Sequence, residues 1–117
     1  MNESKGALTE AVYYILISLY EPLHGYGVIQ NVEKLSGGRV RLGAGTLYGA
    51  INTLLSRGWI VESGETGERR KEYIITESGK RAVLDEIDRL QELLDNGRRL
   101  LQHQTGKDIY EHEEGKK

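Results

Sequence analysis

The pattern of apolar and polar positions predicts a helix near the start of the chain. In residues 8–20, LTEAVYYILISLY, the apolar residues that recur at helical spacing are Leu8, Val12, Ile15, Leu16 and Leu19. Most other positions of this segment are also apolar, and a helix that is apolar on more than one side is covered on more than one side. It is therefore either a central core helix or a helix whose second face is covered by another chain. The pair Glu21-Pro22 ends it, because the residue before a proline avoids the helical region.

Two short helices joined by a turn follow. The segment LHGYGVIQNVEKLSGG predicts a helix of about ten residues, closed by the two glycines at 37–38. Residues 39–42, RVRL, alternate between charged and apolar side chains, which predicts a short extended piece. After GAG, a second short helix is predicted from about Thr46 to Arg57, with Gly58 as its cap.

The next two stretches predict a β-hairpin. Residues 59–63, WIVES, and residues 69–76, RRKEYIIT, are extended by composition and alternation, and the turn-like GETG lies between them. Two short helices joined by a turn and followed by a two-stranded wing make a winged helix-turn-helix. Residues 1–76 are therefore predicted to form a winged helix-turn-helix domain.

Residues 77–104 predict one long amphipathic helix, with Thr76 at its N-cap. Its apolar residues fall at spacings of four, three, four and seven, a heptad seam interrupted only by Gly97. The seam consists of Val83, Ile87, Leu90, Leu94 and Leu101. A second apolar stripe consists of Leu84, Leu93 and Leu100. One small domain cannot cover both stripes, so the helix is predicted to be a dimerisation arm.

These elements give a mainly α (α+β) fold class: a winged helix-turn-helix with a long C-terminal dimerisation helix. The polar residues 105–117 are predicted to be a disordered tail. A chain of 117 residues fits one small domain with an extra helix. It has no cysteine, which fits a reducing cytoplasm, and no apolar run approaches the ~18 residues that span a membrane. With no signal-peptide pattern at the start, a cytoplasmic protein without membrane contact is expected.

Charge is distributed unevenly along the chain. The net charge is −2, yet the segment 34–61 contains no acidic residue and carries four basic ones. The distribution of charge matters more than its sum for a protein that binds nucleic acid. One basic segment in an otherwise acidic chain is therefore compatible with DNA as a partner.

The glycine-rich stretch GAGTLYG at 43–49 raises the alternative of a nucleotide-binding loop. A dinucleotide fingerprint needs a third glycine where this chain has Tyr48, as well as a βαβ unit, and no P-loop lysine is present. The three histidines (His24, His103 and His112) have no metal-ligand spacing, and no triad signature surrounds the serines. We therefore expect no enzyme activity, no cofactor and no metal. His24, beside Gly25, is expected to make local hydrogen bonds at a helix start.

DNA binding explains more of these residues at once. The second helix of a helix-turn-helix enters the major groove, and its N-terminal residues contact base edges. Thr46 and Tyr48 offer hydroxyl groups there, and Asn52 offers an amide that can pair with adenine. The basic residues expected to contact the DNA backbone are Arg39 and Arg41 before this helix and Arg69, Arg70 and Lys71 at the wing.

The chain resembles the PadR-like transcriptional regulators. The specific motifs are His24-Gly25-Tyr26, Gly45-Thr46-Leu47-Tyr48 and Gly58-Trp59-Ile60, and Tyr73-Ile74-Ile75-Thr76 with Gly79 matches the end of the family's wing. The resemblance spans roughly residues 8–85 and is to the small subgroup that has a single C-terminal helix. The family commonly has proline where this chain has Ala44, so the turn before the motif should be less rigid here.

The resemblance implies a homodimeric repressor that binds a pseudo-palindromic operator in double-stranded DNA. The long helix of each chain would pack near the first helix of the other subunit. Small members of the family sense lipophilic or aromatic molecules, in some cases between the subunits. An effector pocket at the dimer interface would be lined here by Tyr13, Tyr14, Ile17 and Tyr20. The alternative is a winged-helix module for ligand sensing or protein interaction without DNA binding, because fold alone does not determine function.

Overall fold

A computed structural model describes residues 6–64 and 70–105. In chain order, the elements are α1 (Glu10–Ser18), β1 (Leu23–His24), α2 (Gly25–Leu35), α3 (Ala44–Arg57), β2 (Ile60–Glu62), β3 (Glu72–Ile75) and α4 (Glu77–Thr105). The chain divides into two compact units, and the boundary between them falls after Asp85, inside α4. Helices with a small antiparallel sheet and a long C-terminal helix confirm the predicted fold class.

The first unit has its own hydrophobic core, formed where α1, α2 and α3 pack together with the sheet. The buried apolar residues are Ile15, Leu16, Leu19, Val28, Val32, Leu47, Ile51, Leu54, Ile60, Tyr73, Ile75 and Val83. Burial of each large aliphatic side chain contributes about 1.5–3 kcal/mol. A polar link also joins the first two helices: Asn31 Nδ2 donates to Ser18 Oγ at 2.9 Å, and Ser18 Oγ donates to the Tyr14 carbonyl at 2.8 Å.

The sheet has three strands in the order β1-β3-β2, all antiparallel, where the sequence predicted a two-stranded hairpin. The additional strand is β1, which pairs Leu23 with Tyr73. Its two residues are too few to show an alternating pattern, so no sequence signal predicted it. The end of α1 is tied to the same sheet, because the Ile75 amide donates to the Leu19 carbonyl at 2.8 Å. These bonds fix the start of α2 beside the central strand.

The predicted extended piece at residues 39–42 is not a strand. Arg39 and Arg41 are exposed while Val40 and Leu42 pack against the core, so the alternation is real. The Val40 amide, however, donates to the Ser36 hydroxyl at 3.0 Å rather than to a neighbouring strand. The connection between α2 and α3 is therefore held by its own local hydrogen bonds.

Most helix ends agree with the predicted capping residues. Gly37 and Gly38 follow α2 with positive φ angles of 63° and 86°, and Gly58 follows α3 with φ of 76°. Thr76 caps α4, since its hydroxyl accepts from the Gly79 amide at 3.1 Å. Helix α1 is shorter than predicted at both ends, and α3 begins at Ala44 rather than near Thr46.

The described part of the second unit is helical, from Glu86 to Thr105. Its apolar side chains at Ile87, Leu90, Leu94 and Leu101 are between 41% and 46% exposed. Val83, which the sequence assigned to the same seam, is only 2% exposed and belongs to the core of the first unit. It therefore offers no free surface to another chain. Within residues 6–64 and 70–105, no helix is both long and apolar enough to cross a membrane.

Candidate nucleic-acid interface

Helix α3 buries one face and exposes the other. Leu47, Ile51 and Leu54 are turned into the core, as the helical spacing requires. Tyr48 and Asn52, four residues apart, lie together on the exposed side. Thr46 in the first turn is also exposed. The three residues predicted to contact bases are therefore all accessible on one helix.

The N-terminus of α3 differs from those of α1 and α2. Thr9 and His24 cap the first two helices with side-chain acceptors, at 3.1 Å from the Val12 amide and 3.2 Å from the Gly27 amide. Gly43 at the N-cap of α3 makes no such bond. The first amides of a helix need acceptors from outside it, and together with the helix dipole they favour anions. The start of α3 can therefore receive an acceptor from a ligand.

Tyr48 occupies a position that depends on Gly25. A Cβ atom added to Gly25 would overlap the Tyr48 hydroxyl and lie 2.6 Å from Tyr48 Cζ. The tyrosine ring therefore lies directly against the backbone at the start of α2. This contact explains why a glycine follows His24 in a chain that has a tyrosine at position 48. It also brings the Tyr48 hydroxyl beside the start of α2.

The two arginines before α3 are each paired with a carboxylate of the same unit. Arg39 Nη2 lies 2.9 Å from Glu10 Oε1, and Arg41 Nε lies 3.5 Å from Glu33 Oε2. The hydrogen bond to Glu10 raises the pKa of the Arg39 guanidinium above its ordinary value. Both arginines are exposed, but a phosphate that contacts either of them must compete with a carboxylate.

The basic residues at the start of β3 have different surroundings. Arg70 Nη1 lies 3.2 Å from Nε2 of His24, and Lys71 Nζ lies 3.6 Å from Glu62 Oε2. Arg69, which the sequence also assigned to the wing, lies outside the described residues. Among the described residues, the side chain that Arg70 contacts is a histidine, whereas Arg39 and Arg41 contact carboxylates.

A cavity of about 330 Å³ lies beside His24, Arg70 and Lys71. Its lining residues are His24, Gly25, Tyr26, Tyr48, Arg70, Lys71 and Tyr73. Burial raises the pKa of the Tyr73 phenol, and the nearby Glu62 carboxylate adds to that effect, so the hydroxyl keeps its proton at neutral pH. The structure thus brings together three residues that the sequence assigned to DNA, Tyr48, Arg70 and Lys71.

His24 and Tyr73 were not assigned to this site from the sequence. His24 was expected to make local hydrogen bonds at a helix start, and its bond to the Gly27 amide agrees with that. The antiparallel pairing of β1 with β3 brings both residues to the cavity, because it aligns Leu23 with Tyr73 and His24 with Glu72. The strand that carries this pairing was the one that the sequence did not reveal.

The residues predicted to line an effector pocket lie on α1 and just after it. The rings of Tyr13 and Tyr14 are 5.7 Å apart, and both pack against the core together with Ile17. Tyr20 is exposed, with Lys80 Nζ 5.5 Å from its ring centre. A second cavity, of about 230 Å³, lies on the first unit between the start of α1 and the end of α3. None of the four residues lines it.

Comparison with known proteins gives both a family and a fold. A model of the transcriptional regulator PadR-like family matches residues 14–85. The structure is similar to that of a PadR family transcriptional regulator from Eggerthella lenta, with 28% identity, a TM-score of 0.63, and coverage of 77% of this chain and 80% of that one. The chain has no significant match among curated proteins.

Two further solved structures are similar at lower identity. A transcriptional regulator from Clostridium thermocellum is 20% identical, with a TM-score of 0.62 and coverage of 75% of this chain and 87% of that one. BpsR from Bordetella bronchiseptica, whose DNA binding is regulated by 6-hydroxynicotinic acid, is 18% identical, with a TM-score of 0.60 and coverage of 82% and 67%. At these identities the likeness shows the fold alone.

Proposed function

The chain belongs to the transcriptional regulator PadR-like family, and from this premise we propose that it is a sequence-specific DNA-binding repressor that acts as a homodimer. One observation carries the proposal: the exposed face of α3 presents Tyr48 and Asn52 beside a helix N-terminus that no side chain caps. In helix-turn-helix proteins the second helix lies in the major groove and contacts bases through its N-terminal residues. Helix α3 takes that role here.

The proposed DNA contacts divide into base readout and backbone positioning. Thr46 and Asn52 reach base edges, and the Asn52 amide is suited to adenine. Tyr48 lies nearer the start of α2, and in this proposal it contacts the sugar–phosphate backbone of the DNA. The proposed phosphate contacts of the basic residues are made by Arg39, Arg41, Arg70 and Lys71, together with Arg69 at the wing. Backbone contacts of this kind fix the register of the protein on the duplex.

The proposed dimer rests on the apolar surface of the second unit. Its seam, Ile87, Leu90, Leu94 and Leu101, is close to half exposed in the single chain. Contiguous exposed apolar surface of this kind marks an interface, and a heptad repeat is typical of helices that pair. A homodimer would place two α3 helices in successive major grooves, about 34 Å apart, on a pseudo-palindromic operator.

An effector completes the proposal. The fold of this chain is shared with BpsR, whose DNA binding is regulated by 6-hydroxynicotinic acid. By analogy, a small lipophilic or aromatic molecule would release this chain from its operator by binding at the dimer interface, against Tyr13, Tyr14, Ile17 and Tyr20. The protein acts in the cytoplasm in this proposal, and it has no catalytic role and needs no cofactor.

The proposal is tested by selecting operator duplexes from a random library and titrating the best one at several salt concentrations. We expect enrichment of a pseudo-palindromic sequence and a binding constant that falls steeply with salt, by about 0.9 in logarithmic slope for each phosphate contact. Enrichment of no sequence would favour a winged-helix module that does not bind DNA. Repeating the titration with aromatic acids and lipophilic amines tests for the effector.

The dimer is tested by polar replacement of Leu90 and Leu94. We expect the variant Leu90→Gln/Leu94→Gln to sediment as a monomer, while the wild type sediments as a dimer. Leu35→Gln is the matched control, because Leu35 is 46% exposed on α2 and carries no predicted dimer contact. A double variant that remains a dimer would place the seam elsewhere.

A further inference from the structure

His24 makes two contacts that cannot both be hydrogen bonds. Its Nδ1 lies 3.2 Å from the Gly27 amide, and its Nε2 lies 3.2 Å from Arg70 Nη1. Both neighbours are N–H donors. A neutral imidazole has one nitrogen that accepts and one that carries a proton, so it can accept from only one of them.

The Gly27 amide is the donor that needs His24. It lies in the first turn of α2, where backbone amides have no partner within the helix, and the N-cap side chain supplies one. Nδ1 is therefore the acceptor, and Nε2 carries the proton. The protonated Nε2 and the Arg70 guanidinium then present two donors to the same space. An anionic oxygen that accepts from both would satisfy them together.

The rest of the cavity has the same character. Its lining residues also include Tyr48, Tyr73 and Lys71, whose side chains carry two hydroxyls and an ammonium group. Of the described residues that line it, none is acidic. Two carboxylates belong to the strands around it: Glu62 is paired with Lys71 at 3.6 Å, and Glu72 lies opposite His24 in the pairing of β1 with β3. The volume of about 330 Å³ is many times that of a water molecule, about 30 Å³ in the liquid, so it admits a phosphate group with the atoms attached to it.

We propose that this cavity is a binding site for a single phosphate group, with His24 Nε2–H and Arg70 as its main donors and Tyr48, Lys71 and Tyr73 as the surrounding ones. The inference rests on the proposed function, in which the phosphate belongs to the DNA backbone. A free phosphate ester presents the same chemistry. The site gives His24 two tasks: it caps α2 through Nδ1, and it holds the anion through Nε2.

The key variant is His24→Asn, because asparagine is a good N-cap and keeps an acceptor for the Gly27 amide while it removes the second donor. Arg70→Gln removes the other main donor. Arg81→Gln is the matched control, since it also removes one positive charge but lies on α4, exposed and outside the cavity. Thermal unfolding of all three variants is measured first, to show that they are folded.

The full-length protein is titrated with inorganic phosphate while the imidazole and guanidinium NMR signals are followed, and separately with the selected operator duplex. We expect saturable phosphate shifts at His24 and Arg70 in the wild type and in Arg81→Gln, and no shift at Arg70 in His24→Asn. Chloride at equal ionic strength should not reproduce them. Operator binding should be about tenfold weaker in His24→Asn, which corresponds to ~1.4 kcal/mol.

The outcomes separate this site from the proposed function. If the wild type binds the operator and His24→Asn binds both operator and phosphate equally well, the phosphate site is wrong and the DNA-binding proposal stands. If phosphate shifts the signals no more than chloride does, the site is also wrong. If the wild type binds no duplex but binds phosphate through His24, the site stands, and its ligand is a free phosphate ester.

Discussion

The arginines on the two sides of α3 have very different surroundings. Arg39 and Arg41, in the connection before α3, each face a carboxylate, at 2.9 Å and 3.5 Å. Arg70, at the start of β3, faces the imidazole of His24 at 3.2 Å. From the sequence these three residues are equivalent candidates for phosphate contacts. In the fold, two of them have an anionic partner of their own, and the third faces an imidazole nitrogen.

The difference indicates how much each arginine gains from a phosphate. An exposed ion pair contributes about 0–1 kcal/mol, so Arg39 can exchange Glu10 for a phosphate at little cost but also with little gain. Among the residues that the structure describes, Arg70 pairs with no carboxylate, so a phosphate would replace only its contact with His24. The number of basic residues on the surface therefore overestimates the number of strong phosphate contacts.

The largest loss of operator binding is expected from Gly25→Ala. This variant disturbs the cavity that contains Arg70 and leaves the ion pair between Arg39 and Glu10 intact. The added methyl group overlaps the Tyr48 ring and pushes it out of the cavity. The displaced Tyr48 hydroxyl no longer reaches the phosphate, and the displaced ring obstructs a second donor of the cavity. A hydrogen bond to a charged group contributes at least about 1.5 kcal/mol, so the loss of both should weaken operator binding about a hundredfold. Fluorescence anisotropy with a labelled operator measures this.

The fold should tolerate this change, because Tyr48 is 44% exposed and its ring can turn toward solvent. Gly97→Ala is the control, since a Cβ at Gly97 meets nothing within 4 Å. It should leave operator binding unchanged. If Gly25→Ala binds the operator as tightly as the wild type, then Tyr48 does not need its position against α2 to contact DNA.

The next largest loss of operator binding is expected from Arg70→Gln, and it is compared directly with the loss caused by Arg39→Gln. We expect about tenfold weaker operator binding for Arg70→Gln, and less than about threefold for Arg39→Gln, because only the second arginine is already paired. The salt dependence should separate them as well, with the logarithmic slope reduced by about one for Arg70→Gln. Equal losses for the two variants would contradict the distinction between them.

Sequence patterns were sufficient for the helices but not for this distinction. Helical spacing, the glycine caps and Thr76 predicted α2, α3 and α4 close to their observed bounds. The partner of Arg39, however, is 29 residues away at Glu10, on a different helix. No local pattern links the two positions, because their contact exists only after the connection before α3 packs against α1.

Sequence patterns were also insufficient to predict which residues meet at the candidate site. The resemblance to a family linked His24-Gly25-Tyr26 with the motif that contains Tyr48, but only the structure gives the reason, which is that Tyr48 lies against Gly25. His24 lies on β1, a strand of two residues, and the pairing of β1 with β3 brings His24 and Tyr73 to the same site. Val83 was wrongly grouped with exposed leucines because a heptad spacing does not tell which part of a helix its own domain covers.

A smaller effect is expected from Tyr48→Phe, which keeps the ring against Gly25 and removes only the hydroxyl. The cavity that contains Arg70 then loses one neutral donor. A hydrogen bond from such a donor contributes about 0.5–1.5 kcal/mol, so operator binding should weaken about fivefold. Thermal stability should be unchanged, because Tyr48 is 44% exposed and the ring keeps its contact with Gly25. Normal operator binding with a lower melting temperature would make Tyr48 a structural residue instead.

The smallest expected effect is a gain in operator binding, and it tests whether the ion pair with Glu10 limits the contact of Arg39 with a phosphate. Glu10→Gln removes the carboxylate that holds Arg39, so the guanidinium should become free for phosphate and operator binding should strengthen about twofold to threefold. Glu77→Gln is the matched control, because it removes the same charge from an exposed pair with Lys80. If both variants strengthen binding equally, the gain comes from net charge alone. If only Glu10→Gln does so, the carboxylate of Glu10 competes directly with the phosphate for Arg39.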